Sequence, residues 1–147
     1  MATAHDLLKH QRRPSILSVT PDATAFDAMK LMAEHNVGAL LVEGADGKLE
    51  GILSERDFMR KLEVQGRSAK ETYVREIMTE RVLYVESTQL LEECMALMND
   101  KRIRHLPVYE GEKLIGLISI RDVLREMVVE QKSMISHLEH YIRGGAQ

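Results

Sequence analysis

The sequence predicts an α/β protein made of two copies of one strand–helix–strand–strand–helix unit, with an extended C-terminal helix. Three observations carry this. The phrase Gly51-Ile-Leu-Ser-Glu-Arg-Asp57 returns as Gly116-Leu-Ile-Ser-Ile-Arg-Asp122. Around it, apolar positions recur 66 residues apart: Leu17/Leu83, Val19/Val85, Met29/Met95, Leu40/Leu106 and Val42/Val108. Finally, apolar runs of strand length alternate with stretches of helical three- and four-residue spacing. The offset falls to 65 after Gly44-Ala-Asp-Gly47, which faces the shorter Glu110-Gly-Glu112. Hairpin turns accept such length changes.

In the first copy, Ser15 to Val19 reads as a short strand. Thr20-Pro-Asp-Ala-Thr24 is a turn and helix start, with Asp or Thr suited to capping. Ala25 to His35 places Ala25, Phe26, Met29, Met32 and Ala33 at helical spacing. Val37 to Val42 is a continuous apolar run, as in a buried strand, and Leu49 to Leu53 is the next one. Ser54 opens a helix ending near Leu62. The second copy repeats this order at Val82–Val85, Thr88–Asp100, Leu106–Val108, Lys113–Ile118 and Ser119 onward. Between the copies, Gln65 to Thr72 reads as a solvated linker, although Arg67, Ser68 and Lys70 offer an anion a docking point. Val74 to Thr79 reads as a short helix. The divisions expected are an N-terminal segment over 1–13, repeats over 14–72 and 73–131, and a helical tail over 132–147.

Composition narrows the function. The 147 residues are 44% hydrophobic and 29% charged, ordinary for a globular chain. Each copy is only about 60 residues, a size at which one core is marginal, so the halves are expected to pack together. The net charge of −3 gives no basic field for nucleic acid or anionic lipid. With no Trp and two Phe, there is little for bases to stack on. One cysteine, Cys94, excludes an internal disulfide and sits at an apolar helix position, as a buried inert thiol does. No apolar run reaches membrane-spanning length. Met1 to Pro14 lacks the apolar core of a secretory signal, and Asp6 argues against a transit peptide. The expected location is cytoplasmic.

The repeated phrase has two readings. Ser followed three residues later by an acid is a capping box, with Asp a shorter arm than the usual Glu. The same geometry suits a nucleotide. A helix start offers N–H groups to phosphate, Ser adds a hydroxyl, and Asp accepts from two ribose hydroxyls. Gly51 and Gly116 permit close approach, and Arg56 and Arg121 offset phosphate charge.

The words Val19-Thr-Pro-Asp-Ala-Thr, Val37-Gly-Ala-Leu-Leu-Val, Ile77-Met-Thr79 and Arg104-His-Leu-Pro-Val108, together with the doubled phrase, resemble a tandem pair of CBS domains (cystathionine β-synthase), a Bateman module. The likeness runs from about Ser15 to Val128. Gly66-Arg-Ser-Ala-Lys70 and the long tail are most similar to stand-alone two-repeat bacterial proteins with plant mitochondrial relatives. The resemblance implies repeats packed about a pseudo-twofold axis, with two ligand sites between them. One would join Ser119, Arg121 and Asp122 to Thr20, Ala25, Val37, Gly38 and Ala39. The other would join Ser54, Arg56 and Asp57 to Ile103, Arg104 and His105. It also implies an adenosine ligand: AMP, ADP, ATP, S-adenosylmethionine or NAD. The sites are unequal. Glu86 stands where the first copy has Thr20 and would repel phosphate, and Leu91 replaces Ala25 and would crowd an adenine.

The resulting expectation is a regulatory adenosine-ligand module that signals to a separate protein. The alternative is a dimeric scaffold with vestigial clefts. Leu124, Met127, Val128, Gln131, Met134, Ile135, Leu138 and Ile142 form one stripe that needs a cover, either the chain's own body or, as the preferred reading, a second chain in a homodimer. The mixed charges Glu126, Glu130, Lys132, Glu139 and Arg143 argue against a membrane helix. No catalytic constellation, glycine-rich phosphate loop or metal-ligand spacing appears. His137 and His140 lie at i, i+3 on a solvated face.

Overall fold

The computed structural model describes residues 1–11 and 16–144. Ser15, expected to begin the first strand, lies outside them. The chain forms two compact units, one over Arg12–Leu83 and one combining Met1–Gln11 with Tyr84–Gln147.

The first unit holds β1 (Ser18–Val19), α2 (Ala25–His35), β2 (Ala39–Glu43), β3 (Leu49–Ser54), α3 (Glu55–Phe58) and α4 (Val74–Ile77). Strand β1 runs parallel to β2, and β3 pairs antiparallel to it, with Leu40 opposite Leu53. The second unit holds α1 (Ala4–His10), β4 (Val85–Glu86), α5 (Leu91–Lys101), β5 (His105–Glu110), β6 (Lys113–Ser119) and α6 (Ile120–Gly144). Its sheet has the same order and senses, with Leu106 opposite Ile118. Each unit has its own core. Ala25, Ala28, Leu40, Val42, Leu53 and Ile77 are buried in one, and Leu91, Cys94, Met98, Leu106, Val108 and Ile118 in the other.

Local chemistry explains the boundaries. Thr24 caps α2 as expected, its Oγ1 accepting from the Asp27 N–H at 3.1 Å. Asn36 and Arg102, 66 residues apart, both end their helices in the left-handed conformation, with φ of 52° and 55°. Strands β1 and β4 are shorter than the apolar runs predicted. Ile16, Leu83 and Tyr84 are exposed, so those residues mark no core strand. Helix α5 starts three residues later than expected, because Ser87 and Gln89 spend their carbonyls on the N–H groups of His5 and Ala4. The helix opened by Ser54 passes into a π-helical turn over Met59–Glu63.

Gln65, Gly66, Ser68, Lys70 and Glu71 of the stretch 65–72 are exposed, as in the solvated linker expected, but the stretch is not featureless. It turns through a 3₁₀ segment, Ala69–Glu71, and Ala69 packs on the first core. Thr72 is buried and donates to the Ser68 carbonyl at 2.7 Å. Arg67 is paired with Glu76 at 2.6 Å, and Lys70 lies 5.0 Å from the Phe26 ring centroid. These cations therefore have partners within the unit.

The N-terminal residues carry an element that the sequence reading left out. Helix α1 relates to α4 as one repeat relates to the other, at an offset of 70. Thr3 bridges Leu90 as Tyr73 bridges Thr24. Ala4 N–H donates to Gln89 as Val74 N–H donates to Ala23, at 2.9 and 2.8 Å. His5 and Arg75 donate to Ser87 and Pro21, and Ala2 and Thr72 accept from Leu91 and Ala25. Ala4 and Leu7 are buried like Val74 and Ile77. Each repeat is thus preceded by a short helix that docks in the unit built from the other repeat.

Candidate functional site

In both units the last strand of the sheet runs directly into a helix, and the doubled phrase forms that junction. The carbonyl of Gly38, just before β2, accepts from the Glu55 N–H at 3.1 Å. In the other unit Arg104 accepts from Ile120 at 2.8 Å. Register places Ala39 opposite Ser54 and His105 opposite Ser119. Gly38, Ala39, Ser54, Arg56 and Asp57 therefore cluster at one end of the first sheet. Arg104, His105, Ser119, Arg121 and Asp122 do so at the matching end of the second.

The capping box is real in both. Ser54 donates to Asp57 Oδ2 through its backbone N–H at 2.9 Å and its hydroxyl at 3.2 Å. Ser119 N–H donates to Asp122 Oδ2 at 3.0 Å, and Asp122 N–H returns a bond to Ser119 Oγ at 3.1 Å. Asp, despite its shorter arm, closes the box. Both carboxylates are buried, while Arg56, Arg104 and Arg121 are exposed beside them. Buried carboxylates held by hydrogen bonds at a helix start, with cations at the surface, can accept from a polyol and face its phosphate.

The remaining expected residues are less uniform. Val37, Gly38, Ile103 and His105 are half-buried, and Thr20 is exposed. Ala25 is completely buried, as is Leu91. Both begin helices whose first side chain turns into the core, so Leu91 presents no surface with which to crowd an adenine. Glu86, by contrast, is exposed where expected.

Two groups that the sequence reading passed over set the carboxylates apart. Lys61 approaches Asp57 Oδ1 at 3.1 Å, and Thr79 donates to the same oxygen at 3.1 Å. Lys61 also donates to the Ile77 carbonyl at 3.2 Å. Asp57 thus accepts four donors within its own unit, close to the capacity of a carboxylate. The lysine was legible as an i, i+4 partner. The threonine, 22 positions away, was not. In the second copy the place of Lys61 is taken by Glu126, which lies 2.7 Å from His10 Nδ1. Asp122 is approached instead by the Gln11 amide at 3.4 Å and, at 4.0 Å, by Arg125.

Cys94 is fully buried, and loss of solvation pushes its thiol up to about 11. It is the inert thiol expected. Among the described residues no group of three or more His, Cys, Asp or Glu could hold a metal ion, and no helix is long and apolar enough to cross a membrane.

Comparison with known proteins places these junctions in a family. The model described as CBS domain matches residues 4–64 and 74–129. The chain is 43% identical to the CBS domain-containing protein CBSX3, mitochondrial, of Arabidopsis thaliana, over 97% of this chain and 73% of the relative. A solved protein with CBS domains from Burkholderia ambifaria is 48% identical, with a TM-score of 0.84 over 88% of this chain and 96% of that one. A hexameric CBS-CP12 protein from bloom-forming cyanobacteria is 31% identical, with a TM-score of 0.73 over 83% and 66%.

Proposed function

Given that the chain belongs to the CBS-domain family, we propose that it is a regulatory module that binds an adenosine ligand (AMP, ADP, ATP or NAD) and reports it to a separate protein. The observation that carries this reading is the doubled junction. Each copy offers a buried carboxylate at a helix start with an exposed arginine next to it. Asp accepts from the ribose hydroxyls, Ser and the helix start receive phosphate, and arginine balances its charge. Ser119, Arg121 and Asp122 hold one ligand, and Ser54, Arg56 and Asp57 the other.

A ribose at Asp57 must displace Thr79 and Lys61 from Oδ1. Ligand binding to the folded chain stabilises it by about 2.7 kcal/mol at about 100 Kd for one site. For a chain of this size that is a rise of about 5–11 °C in melting temperature.

The test is thermal denaturation with AMP, ADP, ATP, NAD and S-adenosylmethionine in turn. Asp122→Asn and Asp57→Asn should each reduce the rise. Melting temperatures that none of these ligands move would defeat the reading.

A further inference from the structure

Helix α6 outruns the unit it belongs to. Ile120, Val123 and Met127 pack on the core formed by α1, α5, β5 and β6, whereas every side chain from Gln131 to Arg143 is exposed. A second row lies beside that packed one. Leu124, Val128, Gln131, Ile135, Leu138 and Ile142 follow one another in alternating steps of four and three. The five apolar members are 47–72% exposed. At 1.5 Å per residue the row is about 27 Å long. Such a face requires a cover.

The row has the grammar of a heptad. Val128, Ile135 and Ile142 occupy the a positions, and Leu124, Gln131 and Leu138 the d positions. We propose that α6 pairs with α6 of a second copy of this chain as a parallel, in-register, two-stranded coiled coil. Among parallel coiled coils, β-branched residues at a with leucine at d favour two strands over three or four.

Gln131 selects the alignment. In register, the two Gln131 amides meet, and each can donate to and accept from the other. Antiparallel pairing of the same layers would set Gln131 against Ile135, a buried amide with no partner, and would bring Lys132 against Lys132. Its one gain would be Arg125 facing Glu139, an ion pair at the rim and of small worth. The parallel arrangement instead lays the stems of Lys132 and Glu139 along Met127 and Met134, which widens the apolar contact. The polar layer at Gln131 then fixes the register, as single polar core positions do.

The test uses the full chain. Light scattering should give the mass of two chains. Chains carrying Leu124→Cys or Leu138→Cys should each form disulfide-linked dimers under mild oxidation, since d residues face themselves only in the parallel register. Buried Cys94 does not compete. Equal amounts of Val128→Cys and Leu138→Cys chains should give no excess of the mixed dimer. Ile135→Asp, at an exposed position, should give single chains with their melting transition preserved. A single-chain mass for the unaltered protein overturns the proposal. So does a predominant mixed Val128→Cys/Leu138→Cys product, which reports antiparallel helices, or a two-chain mass that survives Ile135→Asp. Co-sedimentation with anionic phospholipid vesicles by a single-chain species would assign the face to lipid instead.

Discussion

Gly51 and Gly116 are the same position in two copies of one phrase, yet a methyl group added to each should have different consequences. At Gly51 a Cβ would lie 2.8 Å from Met78 Sδ and 2.9 Å from the Thr79 carbonyl oxygen. That carbonyl cannot retreat cheaply. It accepts from the Ile52 N–H at 3.0 Å, and the Thr79 N–H donates to Ile52 at 2.9 Å, so moving it breaks a paired bridge. At Gly116 the Cβ would meet Leu8 Cδ2 at 2.6 Å and Cδ1 at 2.9 Å, with no backbone atom among its three nearest neighbours. A leucine end can rotate away. Overpacking costs about 1–3 kcal/mol, and Gly→Ala returns about 0.4–1 kcal/mol by restricting the unfolded chain. Gly51→Ala should therefore lose about 1–2 kcal/mol, or about 2–8 °C in melting temperature for a chain of this length. Gly116→Ala should stay within about 0.5 kcal/mol of the parent. Thermal and urea denaturation followed by circular dichroism measure both. Equal losses, or a larger loss at Gly116, would refute the argument that a fixed carbonyl and a rotatable side chain separate the two sites.

Three other outcomes follow from the same geometry. Lys61→Ala should cost about 1–3 kcal/mol in urea denaturation, because it leaves buried Asp57 short of a cation; the range is held down because the Lys61 side chain is 39% exposed. Leu7→Ala should cost about 2–4 kcal/mol, since Leu7 is 2% exposed, and hydrogen exchange should accelerate first in β4–β6, with β1–β3 keeping their protection. Asp6 and Glu76 each accept from the backbone N–H at their helix start, Thr3 and Tyr73 respectively, and this lowers both carboxyls below their ordinary range. A depressed carboxylate stabilises the fold above its unfolded pKa. That contribution fades as pH falls through the lower, folded value, so Asp6→Asn should flatten the acid end of a stability–pH profile below about pH 4.

Much of this architecture is written in short-range chemistry. Helix α2 falls on Ala25–His35 because Thr24 caps it and its apolar spacing is unambiguous. The doubled phrase lands at strand–helix junctions because Ser and Asp satisfy the same N–H groups in both copies. What escaped was set by distant partners. Gln89 looks helical until the N-terminal Ala4 claims its carbonyl. The partners of Arg67 and Lys70, Glu76 and Phe26, are brought beside them only by the fold. Helix α1 is only seven residues long, too short to announce itself by periodicity. Its identity was recoverable by aligning Ala4-x-Asp6-Leu7-Leu8 with Val74-x-Glu76-Ile77-Met78, but the changed offset hid the match. The candidate site was legible as residue types. The occupancy of Asp57 by Thr79 was not, because nothing local connects them.

The crossed docking of α1 and α4 bears on how such a chain can be cut or could have arisen. A fragment ending at the boundary between the copies keeps the helix that the other sheet requires and lacks the one its own sheet requires. One copy alone could complete its sheet only by borrowing that helix from another molecule. A single-copy ancestor would then have been obliged to associate, with each chain lending its leading helix. Joining two copies in tandem converts that loan between molecules into an exchange within one, independent of protein concentration. Neither half of the present chain can be lost by deletion at the boundary without leaving the survivor incomplete.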